Sequence, residues 1–197
     1  MQTPWEKALD FHGHVCPGLV LGFRAAEAGM RALGLEAADG GNLVAVVEND
    51  ACGVDAVQVV TGCTAGKGNL VLRDWGKQVY TFIRRDTGTA VRVAVRYGAM
   101  SPAPDMLALQ EKAAGGGLDA EEERMLARLR ESAADRLLEM PEDELLEVRT
   151  MRTECPPRAR LRATVQCAWC GEGVMETRAK VYGGRLICPA CFLETQA

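Results

Sequence analysis

QVYTFIRRDTGTAVRVAVRY, residues 78–97, decides the fold class. In its second half Val91, Val93, Val95 and Tyr97 fall on one face of an extended chain and Arg92 and Arg96 on the other, since successive strand side chains alternate. QVYTFIRR (78–85) carries the aromatic and β-branched residues of a strand, and the intervening DTGT supplies a tight reversal. The stretch therefore predicts an antiparallel hairpin. Upstream, NLVAVVEN (42–49) is short and β-branched, as a buried strand should be, and ends at the polar NDACG.

Helices flank these strands. Pro17 suits a first helical position, where its missing N–H costs nothing. Leu19, Phe23, Ala26, Met30 and Leu33 then recur at steps of three and four until Gly34, which predicts a helix from about residue 17 to 33. VDAVQVVTG (54–62) reads as a second helix and GCTAGKGNL (62–70) as a glycine-rich loop. From 103 to about 140 the sequence is helical: PDMLALQEKAA, a GGG break, then AEEERMLARLRESAADRLLEM, with Asp119 and Glu122 in capping-box spacing. Residues 141–165, rich in Pro and Arg, read as a connector carrying a short strand, LLEVRTM.

A chain of 197 residues that is 48% hydrophobic suits a core domain with a small appendage. Its net charge of −4 gives no broad attraction to nucleic acid or to an anionic membrane. The N-terminus lacks a signal peptide's basic and then apolar run, and no segment reaches the ~18 apolar residues of a membrane span. A cytoplasmic protein is expected. Eight cysteines in a reducing compartment point to metal or thiol chemistry rather than disulfides, and five of them lie at residue 155 or later.

The strongest motif is C-terminal: CAWC (167–170) and CPAC (188–191), with seventeen residues between the pairs. Each C-x-x-C sets two sulfurs on one turn, and two such turns complete the tetrahedral thiolate shell of zinc on Cys167, Cys170, Cys188 and Cys191. Gly171 and Gly173 suit a knuckle, and YGGR (182–185) suits a hairpin. A module of about thirty residues buries too little surface to fold alone, so the metal supplies much of its stability. A thioredoxin-type dithiol explains one pair, not two. Arg158, Arg160 and Arg162 upstream raise nucleic-acid binding, against which stand the overall acidity and few aromatics.

FHGHVCPGLVLG (11–22) holds both histidines and the first cysteine. His12, His14 and Cys16 alternate, and Gly13 permits a bend that gathers them as metal ligands. Cys52 in NDACG and Cys63 in GCTAG are candidates for a further sulfur. As the residue capping a helix that starts at Pro17, Cys16 is expected to feel the positive helix end, which lowers a thiol's pKa. His12 taken alone equally reads as a cap or a packed side chain. GCTAGKG is not a phosphate loop, since three residues rather than four separate Gly62 and Gly66, and Gly68 follows Lys67. Lys67 and the loop N–H groups remain candidates for holding an anionic ligand.

FHGHVCPGLVLGFRAA, ACGVDAVQVVTGCTAGKGNL, and CAWCGEGVMETRAK with LICPACF together resemble the FmdE family, which takes its name from formylmethanofuran dehydrogenase. The resemblance implies an α+β fold: an antiparallel or mixed sheet core with helices over 1–150, a connector at 151–165 and a treble-clef zinc finger over 166–197. It further implies a homodimer and an active-site cleft lined by His14, Cys16, Cys52 and Cys63, with His12 and Asp55 as neighbours. The C-terminal cysteines would hold structural zinc, and the N-terminal set, His14 and Cys16 first, a second divalent metal. The family name links it to a molybdenum or tungsten enzyme that reduces carbon dioxide to a formyl group in methanogenesis. With no ferredoxin-type cysteine run and no dinucleotide glycine fingerprint, electron-transfer or pterin chemistry falls to a partner.

Three functions follow. One is a metal-binding accessory protein of a molybdenum- or tungsten-dependent oxidoreductase, acting by contact or by handling its metal or a small ligand. Another is a free-standing enzyme using an open metal position or Cys16 as nucleophile, with Glu48 and Asp50 as proton carriers. The third is a zinc-finger regulator that binds nucleic acid through Arg158 to Arg162.

Overall fold

A computed structural model describes residues 2–35, 41–101, 103–158 and 160–196, in two compact units, Met1–Arg158 and Ala159–Ala197. In chain order the first runs α1 (Pro4–His12), α2 (Pro17–Ala32), β1 (Leu43–Val47), α3 (Gly53–Thr61), β2 (Leu70–Leu72), β3 (Val79–Arg84), β4 (Thr89–Val95), α4 (Pro104–Ala114), α5 (Ala120–Glu139), α6 (Glu142–Leu145) and β5 (Leu146–Arg152). The second contains β6 (Thr164–Gln166), β7 (Gly173–Met175), a 3-10 turn (Glu176–Arg178), β8 (Lys180–Tyr182), β9 (Arg185–Ile187) and α7 (Pro189–Glu194). The fold is α+β, as expected.

The hairpin of residues 78–97 forms β3 and β4, with Ile83 opposite Ala90 and Val79 opposite Ala94. Strand order is β2-β1-β3-β4-β5, with β1 and β2 parallel and the other pairs antiparallel, so the sheet is mixed. Alternation then sorts the side chains. Ala45, Phe82 and Val91 lie abreast on one face, as do Val47, Tyr80 and Val93, and both rows belong to the main core with α2. Val44, Ile83 and Ala90 pack together on the other face. Tyr97 departs from its predicted face and is fully exposed. Pairing ends at Val95, the Arg96 N–H donates to the Leu145 carbonyl, and Gly98 at φ 87° turns the chain away.

Among the elements not expected, two help to frame the site and the sheet. The first is α1, begun by Pro4 and by a reciprocal capping box between Thr3 and Glu6. It buries only Ala8, so its apolar periodicity is weak. The second is β2, three residues long, which pairs with β1 after the α3 crossover. The helix predicted at 17–33 and the capping box of Asp119 and Glu122 both form. LLEVRTM becomes the edge strand β5. The C-terminal end of α5 is anchored by Arg24 of α2, whose guanidinium donates to the carbonyls of Leu137, Leu138 and Met140 at 2.7–2.8 Å. These are the acceptors a helix end leaves unpaired.

In the second unit Gly183 and Gly184, at φ 56° and 74°, make the two-residue turn between β8 and β9. Positive φ at both positions is the type I′ geometry that matches strand twist. Its buried core consists of Cys167, Ile187 and Cys191, too little apolar surface to hold the fold unaided. Among the described residues no helix is long and apolar enough to cross a membrane.

Candidate functional site

Two helix starts and one helix end converge. Helix α1 stops after His12 because Gly13 adopts a left-handed φ of 89° and its N–H closes on the Leu9 carbonyl at 2.7 Å. Cys16 caps α2 in extended conformation, its Sγ accepting the Leu19 N–H at 3.4 Å. Cys52 caps α3. What brings the two caps together is a close crossing of backbones. A Cβ on Gly22 would lie 2.0 Å from the Gly53 carbonyl oxygen, and one on Gly18 would lie 3.2 Å from Cys52 Cβ. Only glycine permits that approach.

One ligand atom each of His12, Cys16 and Cys52 lie within 4.8 Å of one another. His12 Nε2 is 3.6 Å from Cys16 Sγ, and its Nδ1 is 2.8 Å from Asp55 Oδ2 on the first turn of α3. An ionised carboxylate only accepts, so Nδ1 carries the proton and the Nε2 lone pair faces the sulfurs. A carboxylate orienting an imidazole in this way is the usual support of a metal-ligating histidine. Two sulfurs and one nitrogen suit zinc or another soft divalent ion and leave one position for a ligand. The donor set therefore fits a metal.

The structure brings some of the expected site residues together and separates others. His14 is exposed and lines the cleft beside Cys16 and Cys52, its ring tilted against His12 at 4.5 Å between centroids, but its nitrogens lie outside the trio of ligand atoms, to which His12 contributes. Cys63 is fully buried in the main core and donates to the Leu43 carbonyl at 3.4 Å. It follows the left-handed Gly62 at the far end of α3, about 13 Å of helix from Cys52. Lys67 sits at that far end too, its Nζ donating to the Gly62 carbonyl at 2.9 Å, at the helix terminus away from Cys52. Glu48 lies on the opposite sheet face against Arg92, and Asp50 is an exposed loop residue. Burial pushes the Cys16 thiol up, outweighing the Leu19 and Gly18 N–H groups that bring it down, so the expected low pKa is not found. Burial likewise raises Cys63.

A cavity of about 410 Å³ adjoins the trio, within the range of small-molecule sites. His14, Cys16 and Cys52 line it together with Gln78, and α4 and α5 contribute Met106, Arg130 and Leu137.

In the second unit the sulfurs of Cys167, Cys170, Cys188 and Cys191 also lie within 4.8 Å of one another. The Cys170 and Cys188 sulfurs are 3.9 Å apart, close to the ~3.8 Å edge of a tetrahedron with metal–sulfur bonds near 2.3 Å. Burial pushes the Cys167 thiol up, but the N–H groups of Cys170, Cys188 and Trp169 outweigh it and hold the group at about 6. This tetrad can hold a metal ion.

Comparison with known proteins agrees with this architecture. Residues 11–147 match the family model FmdE, Molybdenum formylmethanofuran dehydrogenase operon. A "Probable S-adenosyl-L-methionine-binding protein" of Archaeoglobus fulgidus is 35% identical over 181 residues, 88% of this chain and 49% of that protein. The chain thus spans about half the length of this relative. The crystal structure at 1.90 Å of a tungsten formylmethanofuran dehydrogenase FmdE-like protein from Syntrophus aciditrophicus shares the fold, with a TM-score of 0.61 and 24% identity over 98% of this chain and 91% of that one. Because the family match spans more than half of the sequence and contains His12, Cys16, Cys52 and Asp55, the chain belongs to the FmdE family.

Proposed function

We propose that the first unit binds a divalent metal through His12 Nε2, Cys16 Sγ and Cys52 Sγ and offers its open side to a small ligand in the adjoining cleft. In this reading the chain is an accessory subunit of a molybdenum- or tungsten-dependent formylmethanofuran dehydrogenase-type oxidoreductase. The observation that carries the proposal is the trio itself, with His12 oriented by Asp55 inside the family-matched region. A bound metal would supply a Lewis acid. The chain's own residues do the rest. Asp55 keeps the proton on Nδ1, the crossing of α2 and α3 fixes the two sulfurs, and α5 closes one side of the cleft.

The tetrad of the second unit holds zinc in a structural role, and its order of knuckle, hairpin and helix start is that of a treble clef. The working assembly is a homodimer, which light scattering of the purified chain tests by mass. S-adenosylmethionine, named for the Archaeoglobus relative, is a ligand to titrate against the cleft.

Anaerobic purification of the tagged chain from a host that makes the large oxidoreductase subunits tests the accessory role. Molybdenum or tungsten eluting with the chain is expected; a chain that elutes free of both, with those subunits left in the flow-through, overturns it.

A second reading has an observation of its own. Cys16, His12 and Asp55 stand in the order nucleophile, base and orienting carboxylate, at 3.6 and 2.8 Å. That arrangement belongs to a free-standing thiol enzyme. The burial of Cys16, which favours the neutral thiol, weighs against it. Rapid alkylation of Cys16 at neutral pH in a chain with metal only at the tetrad would favour the thiol reading.

A further inference from the structure

The cleft beside the trio has an uneven charge. Among the described residues that line it, Arg130 and Arg136 are cationic and none is a carboxylate, in a chain that carries 27 acidic and 23 basic side chains. Apolar side chains, Met100, Met106 and Leu137, line much of the remainder.

Neither guanidinium has an ion pair or hydrogen bond among the described residues. The helix itself explains why for Arg130. Its neighbours at three- and four-residue spacing on α5 are Leu126, Ala127, Ala133 and Ala134, so no carboxylate is within reach along the helix. Of the other cations of this unit, Arg24 caps α5, Arg31 pairs with Glu142 and Lys112 pairs with Glu122, whereas the exposed Arg124 and Arg128 of α5 have no ion pair among the described residues. Arg130 is also half-buried, where a guanidinium without a counter-charge is costly. It shares a stripe with Ala133 and Leu137, which line the same cavity, while Arg136 stands about 9 Å further along the axis.

We infer that this cleft selects a small organic oxyanion, a carboxylate or phosphate carried on an apolar body, with Arg130 and Arg136 holding the charge. The inference rests on the reading of the cleft as the ligand site. A planar guanidinium matches an oxyanion with two parallel N–H donors, and the methionines and Leu137 accept the apolar body. The thiol side of the cavity then meets whatever part of the ligand is directed toward the metal trio.

Isothermal titration of the 197-residue chain tests it with matched probes: 4-phenylbutyrate and phenyl phosphate as anions, 4-phenylbutan-1-ol as neutral analogue and 4-phenylbutylamine as cation. At least one anion is expected to bind about tenfold or more tightly than the alcohol, and more weakly as salt rises. The double variant R130Q/R136Q, checked for native helix content by circular dichroism, is expected to lose that margin while its affinity for the alcohol is unchanged. Anion binding no tighter than the alcohol's, absent at millimolar concentration, or unaltered in the double variant overturns the inference. Metal analysis of the same unsubstituted chain separates the two claims. Anion preference in a chain that carries metal only at the tetrad sinks the metal reading alone, and metal at the trio without anion preference sinks this one alone.

Discussion

Gly22→Ala tests how the trio is assembled. The added Cβ would sit 2.0 Å from the Gly53 carbonyl oxygen and 2.3 Å from its Cα, both backbone atoms that no rotamer change can move. Restoring van der Waals separation requires α2 and α3 to part by about 1.5 Å. Overpacking of this kind costs about 3 kcal/mol, which for a chain of this size lowers Tm by about 6–12 °C. A metal shell tolerates ligand displacements of about 0.2 Å, so the variant should also lose the trio's metal while still folded. Gly29→Ala is the control. Its Cβ would meet the Phe82 ring at 2.1 Å, also destabilising, but about 10 Å further along α2. Thermal unfolding by circular dichroism and metal per chain by mass spectrometry read both effects. A Gly22→Ala chain with unaltered Tm, or one that falls in Tm but keeps its trio metal, would refute the reasoning.

Other expectations follow from the same geometry. Asp55→Asn should weaken the trio's metal affinity about 10–100-fold in a competitive chelator titration, with Tm of the metal-stripped chain little changed. Cys63→Ala should lower Tm through loss of a buried sulfur, by about 1 kcal/mol, and leave metal per chain unaltered, because Cys63 lies beyond the opposite end of α3. Glu27 gives a pH dependence. Burial holds its carboxyl above the usual 4.5, outweighing Arg24 and Arg31, so the folded state binds this proton more tightly than the unfolded state. The ionised group therefore opposes folding at neutral pH, and that opposition fades as pH falls through the folded pKa toward 4.5. Glu27→Gln should raise Tm at pH 7 and give a smaller gain at pH 4; an equal gain at both would show that ionisation is not the cause.

The hairpin, the buried β1 run and the long helices were legible because their periodicities are set by one buried face each. Residues 4–12 and 70–72 were not, since α1 buries a single alanine and β2 draws its register from β1 rather than from its own three residues. The same difference runs through the site. Cys16 and Cys52 could be read as ligand candidates at element boundaries. Choosing His12 over His14 required knowing that α1 ends there, and the signal was the Thr3, Pro4 and Glu6 start together with Gly13 as its stop. Cys63 and Lys67 resembled site residues only because sequence proximity to a helix does not say which end faces the cleft. The glycines at 18, 22 and 53 look unremarkable in sequence; their purpose is a backbone crossing that only three dimensions display.

The central claim is a metal on His12, Cys16 and Cys52, and metal content tests it most directly. Mass spectrometry of the anaerobically purified chain should give about two metals per chain, and the Cys16→Ser/Cys52→Ser double variant about one, retained by the tetrad. Equal metal content in the two proteins would contradict the account.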